Sequence, residues 1–259
     1  MIKISPLFSG SRGNCTLIQS GGVNVLLDAG FSCKSIVNAL AERGLEPKDV
    51  SAIVVTHEHT DHISALPLWS KSYPTPVYAP AAIADYVRQR VYFCEVVEIN
   101  GSFNVGHLSV DVFECSHDAL GCCGYRFVDG DSAFASVTDT GCTTDKLVEF
   151  LSPCQAIMLE SNHDVSMLVK GDYAYPLKQR ILSDFGHLSN TQTAELVQKL
   201  TRSRVKTIIL AHLSEKNNTK ELAFNATVEA LNVCGLTEGK DVKVFVADQY
   251  RNEVRICVD

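Results

Sequence analysis

A histidine-rich segment at residues 56–62, with the sequence Thr-His-Glu-His-Thr-Asp-His, is the part of the chain best suited to chemistry. It directly follows residues 52–55, a short β-branched apolar run typical of a strand buried on both faces. Imidazoles at the end of a buried strand need partners, because burying an unpaired polar group costs free energy. Imidazole together with carboxylate suits zinc, manganese or iron. The segment therefore predicts a metal-binding loop.

The spacing within this loop predicts two metal positions. His57 and His59 are two residues apart in extended chain, so their side chains project to the same side and can share one ion. Asp61 and His62 fall where a helix is predicted to begin, at residues 63–70, and this turns them toward a second ion.

The surrounding elements predict a layered α/β fold. Gly21-Gly22 indicates a hairpin, and Ser189-Asn190-Thr191-Gln192 is a capping box that begins a helix. No repeat or linker divides the chain, so we expect one domain over residues 1–259. Strands are predicted at 3–8, 15–19, 23–27, 52–55, 109–115, 121–128, 133–137, 156–159 and 207–210, with 242–246 and 253–258 as a closing pair; helices are predicted at 34–43, 63–70, 143–151, 189–200 and 220–234. Early β-rich segments followed by repeated strand–helix units indicate mixed sheets.

Composition excludes several protein classes. With 46% hydrophobic and 20% charged residues the chain is not disordered, and no apolar run approaches the length of a membrane-spanning helix. The first residues lack a secretory pattern, so we expect a cytoplasmic protein. A net charge of −7 argues against a generally basic nucleic-acid binder, although bound metals would make the site itself electropositive. The ten cysteines show no C-x-x-C spacing and are expected to be reduced, with Cys122 and Cys123 facing opposite sides of a strand.

The pattern His57-x-His59-x-Asp61-His62 after an apolar strand resembles the signature of the metallo-β-lactamase superfamily. The family's remaining motifs can be found in order along the chain. The resemblance implies that Asp28 supports the metal loop, that His117 is the third histidine of the first metal, that Asp139 bridges both ions, and that His212 completes the second metal with Asp61 and His62. It also implies the superfamily's four-layer αββα sandwich, in which two mixed sheets are flanked by helices.

Within the superfamily, residues 9–14, 159–164, 186–190 and 211–214 resemble the YycJ/WalJ group of bacterial DNA exonucleases, which are related to tRNase Z and to PhnP-type phosphodiesterases. This resemblance implies hydrolysis of phosphodiester bonds by a metal-bridging hydroxide, with two divalent ions, zinc or manganese and alternatively iron. Asp61 would hold the proton of the nucleophile and His187 would assist the leaving oxygen. The alternatives are a small cyclic phosphodiesterase and a thioester or lactone hydrolase of the same fold.

Several further residues are candidates for contacts with substrate or with the metal ligands. Ser9, Ser11, Arg12 and Asn14 lie in a loop of small residues that could either cradle a phosphate or form a plain turn. Asn162 and His163 follow the 156–159 strand and either reach the site or stabilise their loop, and His187 has a structural alternative. The predicted partner is DNA or a small phosphodiester, with no membrane; the sequence carries no signal for an oligomeric state.

Overall fold

Fourteen strands arranged in two seven-stranded sheets form the framework of the molecule, as described by a computed structural model of residues 1–259. The strands are β1 (Ile2–Phe8), β2 (Cys15–Ser20), β3 (Val23–Leu27), β4 (Ala52–Val54), β5 (Val77–Pro80), β6 (Val96–Ile99), β7 (Phe103–Val105), β8 (Leu108–Glu114), β9 (Cys123–Asp129), β10 (Ser132–Val137), β11 (Ala156–Glu160), β12 (Thr207–Ala211), β13 (Lys243–Val246) and β14 (Ile256–Val258). The helices are α1 (Cys33–Ala41), α2 (Thr60–Ile63), α3 (Leu66–Ser72), α4 (Ala81–Arg88), α5 (Asp145–Leu151), α6 (Val165–Lys170), α7 (Tyr175–Leu182), α8 (Asn190–Lys199) and α9 (Lys220–Val233), with a short 3₁₀ turn at Pro47–Asp49. No helix combines the length and hydropathy needed to cross a bilayer.

Both sheets are mixed, as predicted. The first has the order β14-β1-β2-β3-β4-β5-β6, antiparallel from β14 to β3 and parallel from β3 to β6. The second has the order β13-β12-β11-β10-β9-β8-β7, parallel from β13 to β10 and antiparallel from there to β7. The carboxyl ends of parallel strands share one sheet edge, so loops that leave those ends can meet.

Three apolar clusters hold the layers together. Between the sheets, Ile4 of β1 packs in one cluster with Phe127 of β9. On the outer face of the first sheet, Trp69 of α3 is fully buried, and on the outer face of the second, Leu147 of α5 and Leu196 of α8 are buried. Each such side chain contributes about 1.5–3 kcal/mol by leaving water. The predicted four-layer αββα sandwich is confirmed.

Two local predictions are also confirmed. Gly21 and Gly22 have φ of 51° and 86°, a conformation that glycine adopts without steric cost, and the turn they form joins the antiparallel strands β2 and β3. At the start of α8 the Ser189 hydroxyl accepts from Gln192 N, and the Gln192 side chain accepts from Ser189 N.

Two other predictions were wrong. The segments 242–246 and 253–258 do not form a closing pair: β13 pairs with β12 in the second sheet, and β14 pairs with β1 in the first. The helix predicted at 63–70 is divided into α2 and α3, because Pro67 lies in the first turn of α3, where a missing N–H is tolerated and a new helix begins.

The cysteine predictions agree with the structure. All ten cysteines are free thiols. Cys123 belongs to the cluster between the sheets and Cys122 to the cluster outside the second sheet, so the adjacent pair faces opposite sides.

Candidate metal centre

The residues predicted to form the metal site lie together at one edge of the two sheets. Asp28 follows β3, residues 57–62 follow β4 and Asp139 follows β10, while His212 follows β12. Asp28, Asp139 and His212 have φ of 61°, 57° and 55°, a left-handed conformation that costs a residue other than glycine about 1–3 kcal/mol. The backbone therefore turns sharply at each strand end, where the surrounding structure holds these side chains in place.

The possible ligand atoms form four overlapping groups, and two of these are triads that together contain six residues. The three-histidine cluster contains His57, His59 and His117, and its ligand nitrogens lie within 4.8 Å of one another. The mixed cluster contains Asp61, His62 and His212, whose ligand atoms also lie within 4.8 Å of one another. The structure thus brings together, in two triads, the six residues that the sequence assigns to two ions.

Asp139 lies between the clusters and is buried. Its Oδ2 is 3.3 Å from Nε2 of His62, in the mixed cluster. Its Oδ1 is 3.9 Å from Nε2 of His117, in the three-histidine cluster. One carboxylate therefore faces both groups, which is the arrangement that a bridging ligand requires.

The histidines are oriented by hydrogen bonds on their outer nitrogens. His57 Nδ1 lies 3.0 Å from the Thr56 hydroxyl, and His117 Nδ1 donates to Gly186 O at 3.1 Å. The other nitrogen of each ring, Nε2, is buried without a hydrogen-bond partner. A buried imidazole nitrogen without a partner is costly unless it has another ligand, so these rings fit a bound cation.

Asp28 holds the loop of residues 56–62 in place through its two carboxylate oxygens. Its Oδ1 accepts from Thr56 N at 2.8 Å, and its Oδ2 accepts from His62 Nδ1 at 2.7 Å. Gly30, two residues further on, packs directly against the loop: a Cβ there would lie 1.6 Å from Asp61 O. Only glycine permits this close approach.

His57 and Asp61 are each held in the protonation state that can bind a metal ion. Burial holds the pKa of His57 well below its usual value, and the neighbouring histidines lower it further, so the ring is the neutral, ligating form. Burial raises the pKa of Asp61, but the interactions with His62 and His212 outweigh this and hold it below its ordinary value. Asp61 is therefore a carboxylate at neutral pH.

The two imidazoles of the mixed cluster behave differently without a cation. Burial lowers the pKa of His62 and of His212, but nearby carboxylates, Asp28 and Asp139 respectively foremost among them, raise both well above the usual value. A cation that binds the mixed cluster must displace these protons, so its affinity should rise with pH.

Glu160 is a site residue that the sequence reasoning missed. It ends β11, is fully buried, and its Oε1 accepts from His187 Nδ1 at 2.7 Å and from His212 Nδ1 at 2.9 Å. Its Oε2 accepts from two backbone N–H groups, those of Thr140 and Leu188. A carboxylate at the end of the apolar run 156–159 was the signal that could have revealed it.

A cavity of about 400 Å³ opens over the clusters. Asp61, Asp139 and His212 line the part of the cavity next to the clusters. His187 also lines the cavity, and its side chain is 17% exposed. His187 is therefore placed where a substrate can reach it, next to the ligands.

The loop of residues 9–14 contributes through three of its four candidates. Ser9 Oγ accepts from His212 N at 2.9 Å, and Asn14 Nδ2 lies 3.1 Å from Nε2 of His62. Ser11 lines the cavity. Arg12 is directed elsewhere: its Nε donates to Glu215 at 3.1 Å on the surface.

Asn162 and His163 have different surroundings. Asn162 lines the cavity, and its Nδ2 donates to His212 O at 3.0 Å. His163 is 1% exposed, is not among the residues that line the cavity, and has two ring nitrogens without a hydrogen-bond partner. Its carbonyl accepts from Asn190 N, which ties its loop to the start of α8.

The sequence profile of the Metallo-beta-lactamase superfamily matches residues 9–212. The chain belongs to this superfamily. The resemblance seen in the motifs is thereby confirmed, and the match spans every residue of both clusters.

Relatives within the superfamily align with nearly the whole chain. The exodeoxyribonuclease WalJ of Streptococcus pneumoniae is 38% identical over 250 residues, covering 94% of this chain and 93% of WalJ. The exodeoxyribonuclease YycJ of Bacillus anthracis is 34% identical over 255 residues, covering 95% of this chain and 96% of YycJ. The chain is a homologue of these proteins.

Two solved structures share the fold of this chain. YhfI of Bacillus subtilis superposes with a TM-score of 0.75 at 16% identity, covering 99% of both chains. The short form of human tRNase Z superposes with a TM-score of 0.67 at 14% identity, again covering 99% of both chains. At such identities the likeness extends to the architecture alone.

Proposed function

We propose that this chain is a metal-dependent phosphodiesterase that degrades DNA from its ends. One observation carries the proposal: a buried carboxylate, Asp139, lies between two triads of ligand atoms. The near full-length homology to the exodeoxyribonucleases WalJ and YycJ supports DNA as the substrate. We also propose that residues 1–259 form one domain, since the two sheets share the apolar cluster between them.

The ligand sets fit two divalent cations, for which we propose zinc or manganese, with iron as the alternative. His57, His59 and His117 would hold one ion, Asp61, His62 and His212 the other, and Asp139 would bridge them. When bound, such a pair neutralises the phosphate, lowers the pKa of water and stabilises the developing charge.

Asp61 has a second role in this proposal. It lines the cavity, and its lowered pKa keeps it ionised, so it can accept a hydrogen bond from the attacking water and orient it toward the phosphorus. Asn14 Nδ2 lies 3.4 Å from Asp61 Oδ2, within reach to fix the orientation of the carboxylate.

His187 would protonate the leaving oxygen. Burial alone would lower its pKa, but the carboxylate of Glu160 outweighs this and raises the pKa above its ordinary value, which favours the protonated ring. Because Nδ1 is bound to Glu160, the proton on Nε2 remains free to be donated to a substrate. A leaving alkoxide needs such a proton.

A panel of labelled substrates tests the proposal: duplex DNA, single-stranded DNA, a cyclic phosphodiester and a thioester, each with Mn²⁺ and with Zn²⁺. We expect cleavage of DNA from its ends, and loss of activity in Asp61→Ala with an unchanged circular dichroism spectrum. Metal-replete protein that is inert on every phosphodiester but active on the thioester would overturn it.

A further inference from the structure

Arg180 is a cation in the wall of the cavity to which the proposed function has given no role. It lies on α7 and lines the cavity together with Asp61 and His187. Its guanidinium forms a two-pronged contact with Asp118: Nη2 donates to Oδ1 at 2.9 Å, and Nε donates to Oδ2. The side chain is half exposed, so it is accessible from the cavity.

The carboxylate that Arg180 binds also lies beside the three-histidine cluster. Asp118 Oδ1 is 3.4 Å from Nε2 of His117, the buried nitrogen that has no hydrogen-bond partner. An anionic oxygen therefore lies between the arginine fork and a proposed metal ligand. Phosphate presents two oxygens to a guanidinium in the same geometry as carboxylate does.

Arg180 is also held in a fixed relation to His187. The carbonyl of Ile181 accepts from His187 N at 3.1 Å. Gly186 packs on the end of α7 so closely that a Cβ there would lie 2.3 Å from Arg180 O. Asp118 N donates to Phe185 O at 3.1 Å, which joins the same turn to the His117 loop.

We propose that Arg180 binds a non-bridging oxygen of the scissile phosphate, and that Asp118 holds the guanidinium in position until the phosphate displaces it. This inference rests on the proposed function. It makes Arg180 a substrate-binding residue that favours an anionic phosphodiester over a neutral thioester or lactone, because only the anion can replace the carboxylate. Asp118 is a positioning residue.

The test compares Arg180→Gln, Arg180→Lys and Asp118→Asn with the wild type. The matched control is Arg88→Gln, since Arg88 on α4 is similarly exposed and also pairs with carboxylates, but does not line this cavity. The readouts are kcat/KM on bis(p-nitrophenyl) phosphate, and the salt dependence of binding of a fluorescein-labelled single-stranded oligonucleotide to chelator-treated protein.

We expect Arg180→Gln to lower kcat/KM by about tenfold or more, as loss of a charge-assisted hydrogen bond does. It should also reduce the slope of log Kd against log salt by about 0.7, the value for one contact to a single strand. Arg180→Lys should restore the slope but only part of kcat/KM, because lysine keeps the charge and lacks the fork. Asp118→Asn should tighten oligonucleotide binding, since it removes the competing anion.

If Arg180 served only to stabilise the fold, its loss would affect stability and not catalysis or oligonucleotide binding. If Arg180→Gln lowers the melting temperature but leaves both kcat/KM and the salt slope at wild-type values, the inference is wrong. If wild-type protein hydrolyses no phosphodiester, the proposed function fails, and an unchanged slope of oligonucleotide binding in Arg180→Gln would then separately overturn the role of Arg180.

Discussion

Glu160 Oε1 accepts a hydrogen bond of 2.7 Å from Nδ1 of His187, and this contact joins the buried end of β11 to the wall of the cavity. The two groups have opposite effects on each other. The carboxylate raises the pKa of His187 against the effect of burial, and the imidazolium helps to hold the pKa of Glu160 below its ordinary value although burial raises it. Each group therefore favours the charged form of the other.

Glu160→Gln should shift the pH dependence of turnover. A proton donor works below its pKa, so activity that depends on His187 is present at lower pH and is lost as pH rises through that raised pKa. The variant lacks the charge that raises the pKa, so the alkaline limb of kcat should move to lower pH. Measuring kcat against pH on bis(p-nitrophenyl) phosphate, with metal content as the control, decides this; an unmoved limb would exclude the role.

His187→Ala and His212→Ala should have different effects. His187→Ala should lower turnover by about 10²–10⁴-fold, the usual contribution of a general acid, while the protein keeps its full metal content. His212→Ala removes a ligand of the mixed cluster, so we expect the metal content to fall. Elemental analysis of both variants checks this. The reverse result would mean that the two histidines exchange roles.

Exposed and buried cysteines should differ in their rate of alkylation. Cys234 and Cys257 are exposed, whereas burial raises the pKa of Cys123 and of Cys154 to about 12. Thiolate is the reactive form, so at pH 8 iodoacetamide should label Cys234 and Cys257 first and leave the buried pair unmodified in the native protein. Timed alkylation followed by peptide mass spectrometry measures this. Equal labelling of Cys154 and Cys234 would show that the second sheet opens readily.

His163 should make stability depend on pH. Burial lowers its pKa to about 4, so between the ordinary value and about 4 the unfolded chain binds more protons than the folded one. Stability is therefore full above pH 6.5 and falls as pH decreases toward 4, by about 3 kcal/mol for this group. The free energy of unfolding, measured with urea at pH 4.5 and at pH 7.5, should differ less between the two pH values for His163→Gln than for wild type.

The matched control for that experiment is His107→Gln, at the exposed turn between β7 and β8. In His107→Gln the free energy of unfolding should differ between the two pH values by as much as it does in wild type. If His163→Gln keeps that difference as well, the buried imidazole is not responsible.

Local signals in the sequence were sufficient for most of the architecture. Glycine pairs, a capping box and β-branched runs are properties of neighbouring residues, and they located the β2–β3 hairpin and α8 correctly. The loop of residues 57–62 was also accessible as a candidate metal site, because imidazoles and carboxylates that directly follow a buried apolar strand are costly without a partner such as a metal ion. The candidates His117, Asp139 and His212 came only from the resemblance to the superfamily.

Long-range pairing was not accessible in the same way. Neighbouring strands at the end of a chain usually form a hairpin, yet β13 and β14 pair with β12 and β1. Glu160 acquires its role only because β11 and β12 run parallel in a register that pairs it with Ala211, next to His212. The local pattern does not show which strands pair, and at residue 160 it shows only that a carboxylate ends an apolar run.

The region that carries Arg180 was missed for a different reason. Helices α6 and α7 leave Val169, Tyr175 and Leu177 exposed, so their apolar residues do not follow the one-sided pattern of a core-facing helix. The contact between Arg180 and Asp118 also joins residues far apart in the chain.

Anomalous diffraction from crystals grown with manganese would show directly whether the two clusters hold a pair of ions. We predict two peaks, one among His57, His59 and His117 and one among Asp61, His62 and His212, with Asp139 touching both. A single peak, or manganese bound anywhere other than between these residues, would contradict a dinuclear centre at this edge of the sheets.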